Sequence, residues 1–374
     1  MIEFQTKAER EALTGAVELA KNRLRNLIER YPDFYPMYTM QGRWKHSGEA
    51  WTHWCDGFLP GMLWIVYGWA ADSSSERAWW RQQAIRYSKP LEPRKHDRDV
   101  HDLGFIFMST YYRWFRLTQD QQLKATIMEA GNTLALRFQA KGEYLCSFVS
   151  RESLFIDIMM NVGIVFYTAV ERGDRHLMEI ATRHTLTSRR VLVRGDGSTA
   201  HEGLFDAHTG EFLKQSTQQG FRGDSCWSRG LAWALYGFGS CYSYSRDPRF
   251  LQTAEACADY YIEQTPGDGI PPWDYDAPEE SRRQVDTSAA AIAAAGLFRL
   301  GGLCTDPMKG LLYDSTARHI VRSLCAGYLS ESDPEWEGIL KGGVYHLHKN
   351  LGVNESVMWG EYFFLEALDA ALGA

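Results

Sequence analysis

The stretch FLPGMLWIVYGWA, residues 58–70, has no polar face at helical spacing, which predicts a helix that is buried on all sides. Amphipathic segments with one charged face alternate with such stretches, as in ALTGAVELAKNRLRNLIER, residues 12–30. Five further stretches are apolar or small nearly all round: DLGFIFMSTYYRWF (102–115), IDIMMNVGIVFYTAV (156–170), WSRGLAWALYGFGS (227–240), TSAAAIAAAGLF (287–298) and SVMWGEYFFLEALDAAL (356–372). Six buried helices alternating with six half-exposed ones predict an all-α fold, an (α/α)6 barrel with an inner ring inside an outer ring.

The periodicity of the whole chain supports this architecture. Apolar residues recur at i, i+3, i+4 and i+7, and convincing strand alternation is nearly absent. Helices are predicted near residues 6–30, 58–71, 76–91, 101–118, 119–140, 156–172, 174–191, 226–244, 247–263, 287–300, 307–329 and 356–371. We expect a single domain over residues 1–374, because Pro-rich linkers and low-complexity tracts are missing. An open helical solenoid, whose repeats also stack in pairs, is the alternative.

The predicted connections differ in length. Those from an outer to an inner helix are mostly the longer ones, at 31–56, 92–100, 141–155, 192–225, 264–286 and 330–355. All of them meet at the end of the barrel where the inner helices start. Long loops in a compact domain are usually functional, so the active site is predicted at that end.

Composition narrows the class of function. The net charge of -7 argues against a nucleic-acid surface, which needs basic patches. The seven cysteines lack CxxC spacing and are expected to be reduced thiols, and neither a secretory signal nor a membrane-length apolar run is visible. A cytoplasmic protein without nucleic-acid or membrane partners is therefore expected. Aromatic residues reach 13%, and several tryptophans lie beside polar loop residues, as at a sugar site: Trp51, Trp54, Trp227 and Trp273.

Two aspartates stand at the starts of neighbouring inner helices, Asp102 in HDLGF (101–105) and Asp157 in FIDIMMN (155–161). Asp is a preferred N-cap, so each could simply cap its helix. Together they direct two carboxylates toward one cavity, the pattern of a general acid beside an ionised partner. The apolar surroundings of Asp157 predict a raised pKa, whereas Asp102, beside His101 and the basic loop 94–98, is expected to stay ionised more easily.

The run HDRDVHD, residues 96–102, contains ligand types that suit zinc. Adjacent basic residues and the lack of a second His/Cys cluster weigh against a metal site. We therefore expect no metal and no other cofactor.

Arg229 and Trp233 lie four residues apart, hence on one face of the fourth inner helix. A cation inside a buried helix needs an anionic partner. That partner is either a structural ion pair or a substrate carboxylate, for which Arg offers a bidentate fork. With Trp233 beside it, the pair suits an acidic sugar.

Motifs along nearly the whole chain resemble, in the same order, the unsaturated glucuronyl hydrolases of glycoside hydrolase family 88. Besides HDLGF and FIDIMMN they are WCDGFLPG (54–61), SRRVLVRGDGS (188–198), the 219–238 stretch, PPWDYDAP (271–278), VDTSAAAIAAAGL (285–297) and ESVMWGEYFFLEAL (355–368). The resemblance implies an (α/α)6 barrel that uses no metal. It also implies an oligosaccharide substrate left by a polysaccharide lyase, with a 4-deoxy uronic acid containing a C4=C5 double bond at its non-reducing end.

The resemblance also implies roles for individual residues. Asp157 matches the general acid and base, which would protonate C4 and then accept a proton from the water attacking C5; the resulting hemiketal opens and the glycosidic bond breaks. Asp102 matches the second essential aspartate. Substrate contacts are implied at Trp54, His101, His201, Gln219, Arg229, Trp233 and Trp273.

Two other functions compete with this one. Unsaturated rhamnogalacturonyl hydrolases share the barrel but are expected to rely on one catalytic aspartate. A non-catalytic helical carbohydrate-binding scaffold would leave Asp157 and Arg229 without a role. The loops 141–151 and 341–354 (KGGVYHLHKNLGVN) match no family motif that would select a parent polysaccharide, so hyaluronan, chondroitin, heparin, gellan, xanthan and ulvan all stay open.

Overall fold

Helices build most of the protein in the computed structural model, which describes residues 7–47, 52–71 and 74–373. The α-helices are α1 Lys7–Arg30, α2 Phe58–Trp69, α3 Ser75–Ser88, α4 Leu103–Ser109, α5 Tyr111–Thr118, α6 Gln121–Ala135, α7 Ile158–Asn161, α8 Gly163–Arg172, α9 Arg175–Leu192, α10 Ser228–Ser245, α11 Pro248–Gln264, α12 Glu279–Arg282, α13 Thr287–Gly301, α14 Pro307–Gly327 and α15 Met358–Gly373. Short 3-10 helices cover Lys89–His96, Ser330–Ser332 and Leu347–Lys349. None of the described helices has the length and apolar character that a membrane crossing requires.

Short strands form small antiparallel sheets. They are β1 Thr39–Met40, β2 Arg43–Trp44, β3 Phe138–Gln139, β4 Tyr144–Leu145, β5 Ser153–Phe155, β6 Glu202–Phe205, β7 Phe212–Ser216, β8 Gly343–His346 and β9 Leu351–Glu355. The pairings are β1–β2, β3–β4, β5–β6–β7 and β8–β9. Every one of these strands lies in a connection from an outer to an inner helix, so the strands lie at the end of the barrel where the inner helices start.

The inner helices close into a ring. Around it, α2 packs on α4, α4 on α7 and α8, these two on α10, α10 on α13, α13 on α15, and α15 again on α2. Outside the ring, α3, α6, α9, α11 and α14 each pack on an inner helix, and α1 packs on α14 and α15. This closed arrangement confirms the predicted (α/α)6 barrel, since an open solenoid would not bring α15 back to α2.

Two inner helices that were predicted to be continuous are interrupted. The one predicted at 101–118 breaks at Thr110, where the Thr110 and Ser109 hydroxyls each donate to a carbonyl four residues earlier at 2.5 Å. Such bonds compete with the regular ladder and bend a helix. The one predicted at 156–172 is divided at Val162, after a tight first turn in which the Asp157 carbonyl accepts from the Met160 N–H.

Two predicted outer helices are shorter than expected. The helix predicted at 76–91 ends at Ser88 and continues as a 3-10 helix, because Pro90 and Pro93 lack the N–H of a regular turn. The helix predicted at 119–140 ends at Ala135, because Phe138–Gln139 pairs with Tyr144–Leu145 as a hairpin. The predicted start of the first helix at residue 6 lies outside the described residues.

Four aromatic rings cross the lumen of the barrel beneath the loop-bearing end. Phe105 contacts Trp233 (ring centroids 4.9 Å apart) and Phe58 (5.5 Å), and Phe363 contacts the same two rings at 5.3 and 5.7 Å. We call these four residues the aromatic layer. On its far side lies a cavity of about 430 Å³ lined by Phe58, Phe105 and Phe363 together with polar groups such as Arg113. The layer therefore separates the loop-bearing end from the opposite end.

Candidate active site

Asp102 and Asp157 occupy the N-cap positions of α4 and α7, yet neither side chain accepts a hydrogen bond from the helix backbone. Aspartates do cap helices elsewhere in the chain, each through its side-chain oxygen: Asp120, Asp174, Asp247, Asp286 and Asp306. The capping explanation for Asp102 and Asp157 is therefore wrong. Their carboxylates are directed elsewhere.

The Asp102 carboxylate faces a neutral histidine. Nε2 of the adjacent His101 lies 3.3 Å from Oδ1 of Asp102, and the Thr52 hydroxyl donates to Oδ2 at 3.3 Å. Nδ1 of His101 accepts the Phe148 backbone N–H at 3.0 Å, so the ring proton sits on Nε2 and points at the carboxylate. Burial holds the pKa of His101 well below its usual value. The loop 141–151, which matched no motif, thus orients a site residue through Phe148.

The Asp157 carboxylate has a similar partner. Nε2 of His201 lies 3.6 Å from Oδ2 of Asp157. Nδ1 of His201 accepts the backbone N–H groups of Gln218 (3.1 Å) and Gln219 (3.3 Å), which again places the proton on Nε2. Burial lowers the pKa of His201 to about 3, and the nearby Arg229 charge contributes. Both Asp157 Oδ2 and His201 Nε2 are buried and lack a hydrogen-bond partner among the described residues.

The contrast expected between the two carboxyl pKa values is not confirmed, because both values are raised. Burial raises the pKa of Asp102 to about 7, with the Asp157 charge adding to the rise, and burial raises the pKa of Asp157 to about 6. The Arg94 charge of the basic loop does lower the pKa of Asp102, but burial and the Asp157 charge outweigh it. Asp157 lies within the field of the Arg229 charge, which lowers its pKa.

Arg229 is buried, and both of its terminal nitrogens donate to protein acceptors. Its Nη1 pairs with Asp286 Oδ2 at 3.2 Å and donates to the Val344 carbonyl, and its Nη2 donates to Gln219 Oε1 (2.5 Å) and the Tyr345 carbonyl (2.9 Å). The ion-pair alternative left open by the sequence is therefore present. Asp286 was missed, although it lies in the quoted 285–297 motif, because an Asp before a helix is expected to be a cap.

The predicted tryptophans occupy different places around this cluster. Trp54 is half-buried above the aromatic layer and contacts Phe105, with ring centroids 5.3 Å apart. Trp233 belongs to the layer itself and is 1% exposed. Trp273, also 1% exposed, packs edge-on against His348 at 5.4 Å, at the β8–β9 hairpin. Trp51 lies outside the described residues.

Ring and cation contacts join most of the cluster. The Arg229 guanidinium lies over the rings of Trp227 (4.3 Å) and Trp359 (5.0 Å). Trp227 in turn contacts His201 at 4.6 Å, and Trp359 contacts Trp54 at 4.8 Å. The structure therefore brings His201, Arg229 and Trp54 together beside the two aspartates, with Trp233 below them.

The side chains of residues 96–102 turn to separate partners. His96 faces Glu129 at 3.4 Å, Asp97 pairs with Arg94, and His101 faces Asp102. Within the part of the chain that the structure describes, no group of three or more His, Cys, Asp or Glu side chains could hold a metal ion.

A barrel of paired helices with two buried carboxylates at its loop-bearing end is compatible with a carbohydrate-cleaving enzyme of the (α/α)6 class. The model of Glycosyl Hydrolase Family 88 matches residues 25–266, and the chain belongs to that family. The protein is therefore a glycoside hydrolase, and the scaffold alternative is excluded.

Similarity to known proteins extends over nearly the full length. The unsaturated glucuronyl hydrolase of Bacillus sp. (strain GL1) is 29% identical over 370 residues, covering 96% of this chain and 95% of that protein. The unsaturated chondroitin disaccharide hydrolase of Streptococcus pyogenes serotype M1 is 28% identical, covering 96% and 90%. A structure of a variant unsaturated glucuronyl hydrolase from Streptococcus agalactiae, complexed with dGlcA-GalNAc6S, superposes with a TM-score of 0.82 at 28% identity over 99% of this chain and 93% of that one.

Proposed function

We propose that the protein removes the non-reducing-end 4,5-unsaturated uronic acid from lyase-generated oligosaccharides by hydrating the C4=C5 double bond. The observation that carries this proposal is the pair of buried carboxylates on α4 and α7, each faced by a neutral histidine N–H. A hydration needs one group that can donate and then accept a proton, beside a second group that can balance positive charge. Rhamnogalacturonyl hydrolysis by a single aspartate would leave Asp102 without a role.

Asp157 is the proposed acid. Its carboxyl must reach C4, and the uronate carboxylate of the substrate is two bonds from that atom, attached to C5. This second negative charge raises the pKa of Asp157 above its value of about 6 in the free enzyme, so the bound enzyme holds the proton that the first step requires.

Proton transfer to C4 leaves an oxocarbenium-like centre at C5. The Asp157 carboxylate formed in this step faces the Nε2–H of His201, which stabilises its negative charge. The same carboxylate accepts a proton from the water that attacks C5. Asp102 in its ionised form, faced by the His101 N–H and bonded by the Thr52 hydroxyl, balances the positive charge. The hemiketal so formed opens and releases the next sugar.

The uronate is proposed to bind through Gln219 and Arg229 together. Because Gln219 Oε1 accepts from Arg229, its Nε2 is the atom that donates to a carboxylate. Arg229 contributes its positive charge, and its ion pair with Asp286 keeps the guanidinium in place. Trp54, Trp233 and Trp273 are proposed to line the sugar subsites.

Three further features of the protein belong to this proposal. Residues 1–374 act as one catalytic domain, supported by one hydrophobic core with members from α1 to α15. The protein works in the cytoplasm, supported by seven cysteines that are all free thiols. Glycosaminoglycan fragments are the first substrates to assay, since relatives include a chondroitin disaccharide hydrolase and a complex with dGlcA-GalNAc6S.

The test compares an unsaturated disaccharide with its saturated counterpart and follows the ultraviolet absorbance of the conjugated alkene. We expect loss of absorbance with the unsaturated sugar and no cleavage of the saturated one, because only the former has an alkene to protonate. In D2O, deuterium should appear at C4 of the released product. Efficient cleavage of the saturated glucuronide, or a product without deuterium at C4, would refute the hydration mechanism.

A further inference from the structure

Asn161 connects the two helices that carry the aspartates. Its side chain is fully buried, at 0% exposure. Its Oδ1 accepts the backbone N–H of Phe105 in the first turn of α4 at 2.7 Å, and its Nδ2 donates to the backbone carbonyl of Asp157 at 3.1 Å. One amide therefore bonds to the first turn after Asp102 and to Asp157 itself.

The backbones of the two helices approach closely at the same place. A Cβ atom on Gly104 would overlap the Cα, carbonyl carbon and oxygen of Asn161, so only glycine allows this approach. Burial of an amide is costly unless its hydrogen bonds are satisfied. In Asn161 the oxygen accepts a bond from α4, and one N–H donates to Asp157, at the start of α7. The contact between α4 and α7 therefore depends on directional hydrogen bonds as well as on close packing.

We propose that Asn161 is a positioning residue that sets the separation and relative orientation of the Asp102 and Asp157 carboxyls. The proposal rests on the proposed function for what those carboxyls do. A displacement of about 1 Å at a reacting group can cost about 10²-fold in rate, and the interaction between two charges also depends on their distance.

Other groups act on the aspartates from different elements. His101 contacts the Asp102 carboxylate, and the charges of Arg94 and Arg137 lower its pKa. His201 contacts the Asp157 carboxylate, and the Arg229 charge lowers its pKa. Each of these groups touches or polarises one aspartate. Asn161 bonds to the backbone of both helices, so its loss should alter the interaction between the aspartates while leaving these separate partners in place.

The first variant is Asn161→Leu, compared with Thr168→Val as a matched control. Thr168 is equally buried on α8, and its hydroxyl bonds only within its own helix, to Ile164 O at 2.7 Å. We expect kcat of Asn161→Leu to fall about 10- to 100-fold with little change in KM. The basic limb of its pH–rate profile should move to lower pH, because Asp157 raises the pKa of Asp102 less when the helices move apart. Thr168→Val should keep both kcat and the profile.

A second variant, Asn161→Asp, keeps the shape of the side chain and guards against misfolding. When protonated, the introduced carboxyl accepts from Phe105 and donates to the Asp157 carbonyl as the amide does. Its activity relative to the native protein should therefore recover as pH falls and stay low at higher pH, where the carboxylate repels that carbonyl. A constant ratio across pH would overturn the proposal.

A measurement without substrate separates this proposal from the proposed function. The titrations of Asp102 and Asp157, followed by 13C NMR of labelled aspartate, should shift in Asn161→Leu and not in Thr168→Val. Shifted titrations in a protein that does not turn over unsaturated disaccharides would support the positioning role and refute the proposed function. Unshifted titrations with unchanged kcat in both variants would overturn the positioning role alone.

Discussion

Aspartates begin helices at both ends of this barrel, and the two ends use them differently. At the start of the outer helix α9, Asp174 accepts the backbone N–H groups of His176 (2.9 Å) and Leu177 (3.1 Å). At the starts of the inner helices α4 and α7, Asp102 and Asp157 leave the helix backbone alone and face histidines. The same residue type at the same helical position is structural in one place and a candidate for chemistry in the other.

Asp286 lies between these two cases. It caps the inner helix α13 through Ser288 N at 3.0 Å and also pairs with Arg229 at 3.2 Å. Its two oxygens serve the backbone and the site separately. A side chain that is buried, does not cap and faces a neutral donor is therefore the useful indicator of function, because burying such a carboxylate is costly and capping does not explain it.

The largest effect is expected for Asp157→Asn, which removes the proton donor while keeping shape. Turnover of the unsaturated disaccharide should fall by at least about 10²- to 10⁴-fold, with the fold and substrate binding retained. Steady-state kinetics and circular dichroism measure this. The matched control is Asp306→Asn at the start of α14, which should keep its rate. Retention of more than a few per cent of activity in Asp157→Asn would remove this residue from the mechanism.

Asp102→Asn should be the next most severe change, because it removes the anion that balances positive charge at C5. We expect a fall in kcat of about 10²- to 10³-fold. The variant should also simplify the titration, since only one of the two buried carboxyls is left. If its kcat stayed within threefold of the native value, Asp102 would be a structural residue like Asp174.

The pH dependence of kcat/KM reports both carboxyls of the free enzyme. With pKa values of about 7 for Asp102 and about 6 for Asp157, both carry protons at low pH and the anion is lost, while both are ionised at high pH and the acid is lost. The profile should be bell-shaped with its maximum between about 6 and 7, and should fall about tenfold per pH unit on either side. A rate that rises steadily to pH 9 would contradict the paired-carboxyl site.

The smallest effect belongs to a true cap. Asp174→Ala should lower the free energy of unfolding by about 0.5–2 kcal/mol, because two backbone N–H groups of α9 lose their acceptor. Its kcat and pH profile should match the native protein. Chemical denaturation measures the stability of this variant, and kinetics on the same sample measure its activity. A loss of activity without a loss of stability would contradict a purely structural role for Asp174.

Much of this architecture is encoded in local patterns. The apolar stretches predict the inner ring, because a helix without a polar face must be buried, and the closed contacts of α2 with α15 confirm the barrel. The strands were missed, because segments of two to five residues are too short to show alternation. One inner helix breaks at Thr110, where two hydroxyls bond back to carbonyls, and another is divided at Val162 after a tight backbone turn, and no hydrophobic period reveals either feature.

The sequence predicted which residues form the site better than it predicted their pKa values. The pairing of Asp102 and Asp157 follows from their positions, but the order of their pKa values depends on which charges reach them in three dimensions. The Arg94 charge lowers the pKa of Asp102 but is outweighed by burial, and Arg229, which is remote in sequence, lowers the pKa of Asp157. Asn161 carried no signal at all, because a lone Asn in an apolar stretch gives no indication of its partners.

The aromatic layer has a consequence for how a polymer is consumed. Four rings across the lumen make the site a blind pit and not a passage, so a sugar chain cannot thread through the barrel. A sugar that enters the site by its terminal unit must leave by the same route before the next molecule binds. Such an enzyme takes one terminal unit per encounter and releases its substrate each time, which suits the short fragments of an upstream depolymerase better than a long intact chain.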